Sequence, residues 1–175
     1  VVLNYTDKYD DVSTLAHELG HSMHTYFSNS NQAFENAGYP IFLAEIASTT
    51  NELILNDYMY KKAKTKEERL ALLNEKLDMF KATLYRQTIF AEFEKNAHDY
   101  VDKGGVVTNE YLNNMYLELN KDYFGPNVVV DDEIKYEWSR IPHFYTPFYV
   151  YQYATSLSIS CYVASNIINN TPGFK

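Results

Sequence analysis

The sequence predicts a mostly α-helical fold with one short strand at the N-terminus. Apolar residues recur at helical spacing over most of the chain, and capping or turn residues separate these stretches. With 175 residues, of which 46% are hydrophobic and 22% charged, the chain can bury one sizeable core. We therefore predict that residues 1–175 form a single domain.

The elements follow from local signals in chain order. The apolar run at residues 1–5 is predicted to form the strand, and a helix over about 11–29 follows it. Asp10, Asp11 and Ser13 are typical of a helix N-terminus. The predicted apolar stripe of this helix comprises Val12, Leu15, Ala16, Leu19 and Met23.

Four further helices are separated by proline, glycine and capping residues. Gly104-Gly105 and Gly125-Pro126 are strong stop signals after two of them. The predicted ranges are about 41–64, 65–103, 108–124 and 147–169, which begin at Pro40, at a Thr65–Glu68 capping box, at Thr108 and at Pro147.

The first helix contains the motif His17-Glu18-Leu19-Gly20-His21. Two histidines four residues apart project from one helix face, so both imidazoles can reach one zinc ion, and Glu18 lies beside them as a general base. The motif predicts a zincin-type helical catalytic core. An ordinary buried helix would leave unexplained why His17 and Glu18 both stand among apolar neighbours.

A catalytic zinc ion needs a third protein ligand and leaves a fourth position for water. His24 is on the same stripe, but it lies two turns, roughly 10 Å, from His17 and is too distant to complete a compact site; we interpret it as an outer or packing residue. The metzincin continuation is excluded, since it requires glycine at position 24 and histidine at position 27, where this chain has His24 and Phe27.

The second helix offers three acidic candidates for the third ligand, Glu45, Glu52 and Asp57. Glu45 is the best placed, because it stands in an apolar run where an ionised carboxylate is costly unless a cation compensates it. Glu52, two turns further on, has two interpretations of equal weight. It either holds a zinc-bound imidazole through a hydrogen bond or is an ordinary exposed glutamate.

Three ordered blocks of the sequence carry a family resemblance. They are residues 11–24 around the motif, residues 44–52, and residues 141–155 with their Ile141-Pro-His-Phe-Tyr145 start. Together they closely resemble the oligoendopeptidase F branch of the M3, or thimet oligopeptidase-like, metallopeptidases. The resemblance implies a mostly helical fold that admits short peptides, one zinc ion on His17, His21 and Glu45, and Glu18 as the base. Because members of that family are several times longer, residues 1–175 are expected to be a fragment of the whole enzyme.

Seventeen tyrosines are present, and four of them closely follow His143: Tyr145, Tyr149, Tyr151 and Tyr153. Tyrosine hydroxyls and a histidine N–H can stabilise the negative charge that develops on a scissile carbonyl oxygen. Tyr149 and Tyr153 would share a helix face. The resemblance assigns catalytic, substrate-binding roles to His143 and Tyr153, whereas the alternative for each tyrosine is a core residue with a satisfied hydroxyl.

The predicted function is hydrolysis of internal bonds of short oligopeptides by zinc-activated water. A di-iron carboxylate bundle is a rival because Glu18 and His21 form a Glu-x-x-His pair, but it needs a second such pair and the sequence has none. The remaining alternative is an inactive helical zinc-binding fragment or interaction domain. Metal content and an open coordination position would distinguish this alternative from the peptidase.

Net charge and cysteine content limit the classes of partner and the cross-links that this chain can have. The net charge of −8 argues against nucleic acid and anionic membranes as main partners, and no apolar stretch is long enough to span a bilayer. The single cysteine, Cys161, excludes an internal disulfide and is expected to be a small core residue rather than a nucleophile. Short peptides are the expected partners and the cytoplasm is the expected location; oligomeric state is left open.

Overall fold

The structure is a computed structural model that describes residues 2–174, and α-helices dominate it. Short 3-10 turns lie between the helices at Phe34–Asn36, Asp132–Arg140 and Pro142–Tyr145. The α-helices of the described residues are α1 (Tyr9–Asn31), α2 (Ile41–Lys62), α3 (Lys66–Met79), α4 (Arg86–Asp102), α5 (Asn109–Phe124) and α6 (Tyr151–Ile168).

The chain divides into two compact units. The first contains the residues up to Lys81 and those from Thr155 onward, and the second is Ala82–Ala154. Compact units of this kind can belong to one domain, so the single catalytic core predicted for residues 1–175 stays a prediction.

In the first unit, α1 and α2 pack against each other and α6 packs on α2. Two serines on α6, each fully buried, donate hydrogen bonds to backbone carbonyls of α2: Ser156 to Phe42 at 2.8 Å and Ser160 to Ile46 at 3.0 Å. Small side chains allow the two helices to approach closely, and the hydrogen bonds satisfy hydroxyls that would otherwise be costly to bury. Helix α2 is therefore held on two sides.

The second unit has an aromatic core built on α4 and α5. Phe90 and Phe93 of α4 pack against the ring of Tyr116 on α5, and all three are at least 96% buried. The Tyr116 hydroxyl donates a hydrogen bond of 2.7 Å to Glu137, whose carboxylate also accepts one from Arg86 at 2.5 Å. Burial opposes ionisation of Glu137, but these hydrogen bonds and the positive charge of Arg86 outweigh it and lower the pKa of this carboxyl.

The predicted N-terminal strand is wrong for the residues that the structure describes. Val1 lies outside them, and residues 2–6 adopt no regular secondary structure. A strand needs a partner for its backbone hydrogen bonds, and residues 2–174 contain no strand at all. Val2 is 99% exposed, and the N–H of Thr6 instead donates to the Asp11 carboxylate at 2.8 Å.

The predicted starts and ends of the middle helices are confirmed within a few residues. Helix α2 follows Pro40, the Thr65–Glu68 capping box begins α3, and Thr108 caps α5 by accepting a hydrogen bond from the N–H of Tyr111 at 3.2 Å. The third predicted helix continues from α3 into α4 through π-helical residues Phe80–Tyr85. These boundaries are predictable because each depends on a local contact.

Two details of the helices differ from the prediction. The last helix begins at Tyr151 rather than at Pro147, because Phe148 has a φ of 57°, which a right-handed helix cannot contain. On α1, the predicted apolar stripe is largely exposed: Leu19 and Met23 are 49% and 50% exposed, and Gly20 is buried instead. Cys161, expected in the core, is only partly buried, and burial raises the pKa of its thiol.

Candidate metal centre

The candidate site lies where α1 crosses α2, and Gly20 sets the distance between them. A β-carbon at Gly20 would lie 2.6 Å from the Ser48 Cα and 3.0 Å from the Ala47 carbonyl oxygen. Only glycine allows the two backbones to come this close. The sequence analysis missed this role of Gly20, although a glycine in a helix interior is the signal that could have revealed it.

The close approach brings three potential metal ligands together, one from each side chain of His17, His21 and Glu45. The two imidazole Nε2 atoms are 3.1 Å apart, and the Glu45 Oε2 atom is 3.5 Å from the His17 Nε2 atom and 4.0 Å from the His21 Nε2 atom. Atoms with these separations are all about 2.1 Å from one common point, which matches the bond lengths of zinc to histidine and carboxylate. The donor set and its spacing therefore fit a zinc ion.

Glu52 holds the first of these imidazoles from behind. Its Oε1 atom is 2.6 Å from the His17 Nδ1 atom, and its Oε2 atom accepts a hydrogen bond from the Ser13 hydroxyl at 3.1 Å. When Nδ1 carries the proton and donates it to Glu52, the lone pair of Nε2 is left for a metal. Of the two interpretations of Glu52, the structure supports the hydrogen bond to the imidazole.

The same neighbours determine the charge of His17. Burial disfavours the imidazolium, but the hydrogen bond to Glu52 and the negative charges of three nearby glutamates outweigh it and raise the pKa of His17. Two imidazoles and a carboxylate thus converge in a strongly negative environment. A divalent cation at that point would compensate these negative charges.

Glu45 is the most buried of the three potential ligands, with a side chain that is 13% exposed. The Ser48 hydroxyl, one turn further along α2, lies 3.2 Å from its Oε2 atom. Because Ser48 is also the residue that contacts Gly20, the position of this carboxylate depends directly on the helix crossing. The backbone contact and the candidate ligand are therefore one turn apart on the same helix.

Glu18 is half-buried, and its carboxylate forms no hydrogen bond or ion pair with the residues that the structure describes. His24 instead stacks on the Tyr39 ring, with ring centres 3.9 Å apart, and its Nδ1 atom is buried without a hydrogen-bond partner among residues 2–174. Burial lowers the pKa of His24. Of the two interpretations of His24, an outer or a packing residue, the stacking on Tyr39 supports packing.

The second unit brings together His143, Tyr149 and Tyr153, which we call the aromatic cluster. The Tyr149 ring stacks on the His143 ring at 5.4 Å between centres, and the Tyr153 hydroxyl is 3.4 Å from the His143 Nε2 atom and 3.5 Å from the Tyr149 hydroxyl. Tyr145, in contrast, is 86% exposed and Tyr151 is 51% exposed. The cluster therefore contains both residues that the family resemblance singled out.

The helices of the described residues were compared with the length and apolar character that a membrane-spanning helix needs. Among the helices within residues 2–174, none is both long enough and apolar enough to cross a bilayer.

Comparison with known proteins gives matches over almost the whole chain. The model of peptidase family M3 matches residues 1–173. Oligoendopeptidase F (plasmid) of Lactococcus lactis subsp. cremoris is 48% identical over 171 residues, 98% of this chain and 28% of that protein. Group B oligopeptidase PepB of Streptococcus agalactiae serotype III is 49% identical over 175 residues, 100% of this chain and 29% of that protein.

A solved structure is also similar. The crystal structure of oligoendopeptidase-F from Enterococcus faecium matches with a TM-score of 0.81 and 48% sequence identity, over 94% of this chain and 29% of that one. The chain thus spans less than a third of the length of these relatives.

Proposed function

The chain belongs to peptidase family M3, and from that premise we propose that it carries the metal-binding core of a zinc-dependent endopeptidase that hydrolyses internal bonds of short oligopeptides. The observation that carries the proposal is the convergence of His17, His21 and Glu45, with Glu52 orienting the first imidazole. The names of the relatives, oligoendopeptidase and oligopeptidase, support peptides as the substrate class.

In this proposal, His17, His21 and Glu45 hold one zinc ion, and Glu52 keeps the proton of His17 on Nδ1. A zinc ion on such ligands supplies Lewis acidity and lowers the pKa of water. Within residues 2–174, three potential ligands converge at this point, which would leave a position for the reacting molecules. That arrangement is typical of a catalytic rather than a structural site.

Glu18 is proposed as the general base. Its carboxylate takes a proton from water as the water oxygen attacks the carbonyl carbon of the peptide. The same carboxyl then returns that proton to the amide nitrogen as the C–N bond breaks, which releases a free amine and a carboxylic acid. The absence of a hydrogen-bond partner for this carboxylate among the described residues favours the role.

His143 and Tyr153 are proposed to donate hydrogen bonds to the substrate and to the oxygen that becomes negative in the transition state. The chemistry of the two side chains supports these roles. A phenol and an imidazole are neutral donors that strengthen as charge develops on the acceptor. Tyr149 is proposed to orient them, since it contacts both.

Glu18→Gln tests the central step. We expect this variant to retain zinc and the wild-type far-UV circular dichroism spectrum while cleavage of an internally quenched short peptide falls by about 10²–10⁴-fold. Glu67→Gln, an exposed glutamate on α3, is the matched control and should cleave at the wild-type rate. Equal cleavage by wild type and Glu18→Gln would contradict the assignment of the base.

Tyr153→Phe tests the proposed donor role of Tyr153 in the second unit. Removal of one transition-state donor should lower kcat by about 10²–10³-fold with the zinc content unchanged. If the wild-type chain binds zinc but cleaves no peptide, the alternative holds: these residues form a helical zinc-binding fragment whose activity depends on other parts of an M3 protein.

A further inference from the structure

Phe148 has a backbone conformation that is unfavourable for its side chain. Its φ of 57° lies in the left-handed region, which a bulky residue with a β-carbon rarely occupies unless its surroundings enforce it. The residue follows Pro147 and lies just before α6, in the middle of the segment that carries the aromatic cluster. The question is what holds it there.

The backbone of Phe148 is held by Glu94 on α4. The Phe148 N–H donates a hydrogen bond of 2.7 Å to the Glu94 Oε1 atom, and Glu94 is 94% buried, with 6% exposure. A carboxyl group that is buried this deeply is costly unless its oxygens are hydrogen-bonded, and the N–H of Phe148 provides such a bond. Glu94 makes no ion pair with the other described residues. The N–H of Phe148 is therefore the group that compensates its burial.

The side chain of Phe148 is held from the same helix. His98 lies one turn after Glu94 on α4, and its ring packs against the Phe148 ring with centres 4.9 Å apart. The backbone and the 51% exposed side chain of Phe148 thus each contact one of two residues four positions apart on α4. This double support explains how the unfavourable φ persists.

The next residues transmit this position to the aromatic cluster. Tyr149 directly follows Phe148, and Val150 on its other side is fully buried in the core of the second unit. Tyr149 is therefore fixed at both neighbours, and its ring stacks on His143 while its hydroxyl lies near that of Tyr153. If Phe148 relaxed to a negative φ, the direction of the chain would change immediately before Tyr149.

We propose that Glu94 is a positioning residue that sets the arrangement of the aromatic cluster by holding Phe148 in its left-handed conformation. The importance of that arrangement for peptide hydrolysis rests on the function proposed above. The positioning itself does not, because it is a statement about geometry within Ala82–Ala154.

Two substitutions of similar size separate the hydrogen bond from simple packing. Glu94→Gln keeps an oxygen that can accept the Phe148 N–H, whereas Glu94→Met fills the same space without an acceptor. We expect the Phe148 amide to exchange with deuterium at least tenfold faster in Glu94→Met than in wild type, and the NMR signals of the His143 ring to shift. Glu94→Gln should restore both.

Kinetics add the functional readout. In Glu94→Met we expect kcat to fall about 10- to 100-fold, because the groups proposed to donate hydrogen bonds to the substrate are displaced, with zinc content unchanged and recovery in Glu94→Gln. If wild type binds zinc but cleaves no peptide, the alternative of an inactive zinc-binding fragment holds, and the exchange and NMR measurements still decide the positioning role.

His98→Ala is a second variant that leaves the Glu94 hydrogen bond intact and removes the ring contact. It should leave the Phe148 amide exchange near the wild-type rate, and Glu94→Leu, which also lacks an acceptor, replaces Glu94→Met if that variant does not fold. Unchanged Phe148 exchange and unchanged His143 signals in a folded Glu94→Met variant would overturn the proposal, as would an equal loss in Glu94→Met and Glu94→Gln.

Discussion

Gly20→Ala is the substitution that most directly links the helix crossing to metal binding. The added β-carbon would lie 2.6 Å from the Ser48 Cα, whereas ordinary contacts begin near 3.4 Å, so the two backbones must separate by about 1 Å. Helix α2 carries both Glu45 and Glu52, and both would move away from His17. Metal–ligand distances tolerate only about 0.2 Å of change.

Two opposing effects act on stability. Replacing glycine by alanine inside a helix is worth roughly 0.5–1 kcal/mol, and forcing extra volume into a packed contact costs about 1–3 kcal/mol. The net loss in the free energy of unfolding should therefore be only about 1 kcal/mol. Zinc affinity should fall much more, by about 10- to 100-fold, because a ligand and the partner of another ligand are displaced together.

The assay is zinc competition against a chromophoric chelator, together with urea unfolding of the metal-free protein. Gly38→Ala is the matched control, since a β-carbon there would meet no atom within 4 Å. If Gly20→Ala were more stable than wild type by about 1 kcal/mol and bound zinc with unchanged affinity, the proposed dependence of the site on this crossing would be refuted.

Three further predictions follow from particular contacts. Glu52→Leu should weaken zinc binding about 10- to 100-fold in the same competition assay without loss of helix content, because the imidazole of His17 loses its orienting partner. Glu137 has a lowered pKa, so its contribution to stability is present above its ordinary value of 4.5 and is lost as the pH falls through the lower value of the folded state. The excess stability of wild type over Glu137→Gln in urea should accordingly be constant near neutral pH and shrink below about pH 4.5; a pH-independent difference would contradict it. Burial and a hydrogen bond to Glu92 raise the pKa of Tyr123 to about 12, and NMR titration of Glu92→Gln should move it toward 10.0, while an unchanged value would argue against the bond.

Much of the helical fold is predictable because the relevant signals are local. The capping box at Thr65 and the cap at Thr108 act through residues three positions away, and the structure has both. The strand at residues 1–5 is different, because its formation depends on a distant partner that the sequence pattern does not reveal. The left-handed Phe148 depends on Glu94, 54 residues earlier in the chain, and no local pattern indicates it.

The candidate site shows the same division. His17 and His21 are identified by helical spacing alone, and Glu45 by the cost of a carboxylate in an apolar run. The face of α1 that meets α2 could not be predicted from hydrophobic periodicity, because the contact is made by Gly20 while Leu19 is half-exposed. Close packing through a glycine leaves no apolar signal in the sequence.

The central claim is that Glu45, and not His24, completes the metal site with the two motif histidines. The measurement is the zinc content per chain, after dialysis against a weak chelator, of wild type, Glu45→Ala and His24→Ala. We predict about one zinc ion per chain in wild type and in His24→Ala, and little in Glu45→Ala. Retention of zinc in Glu45→Ala with loss in His24→Ala would contradict the claim.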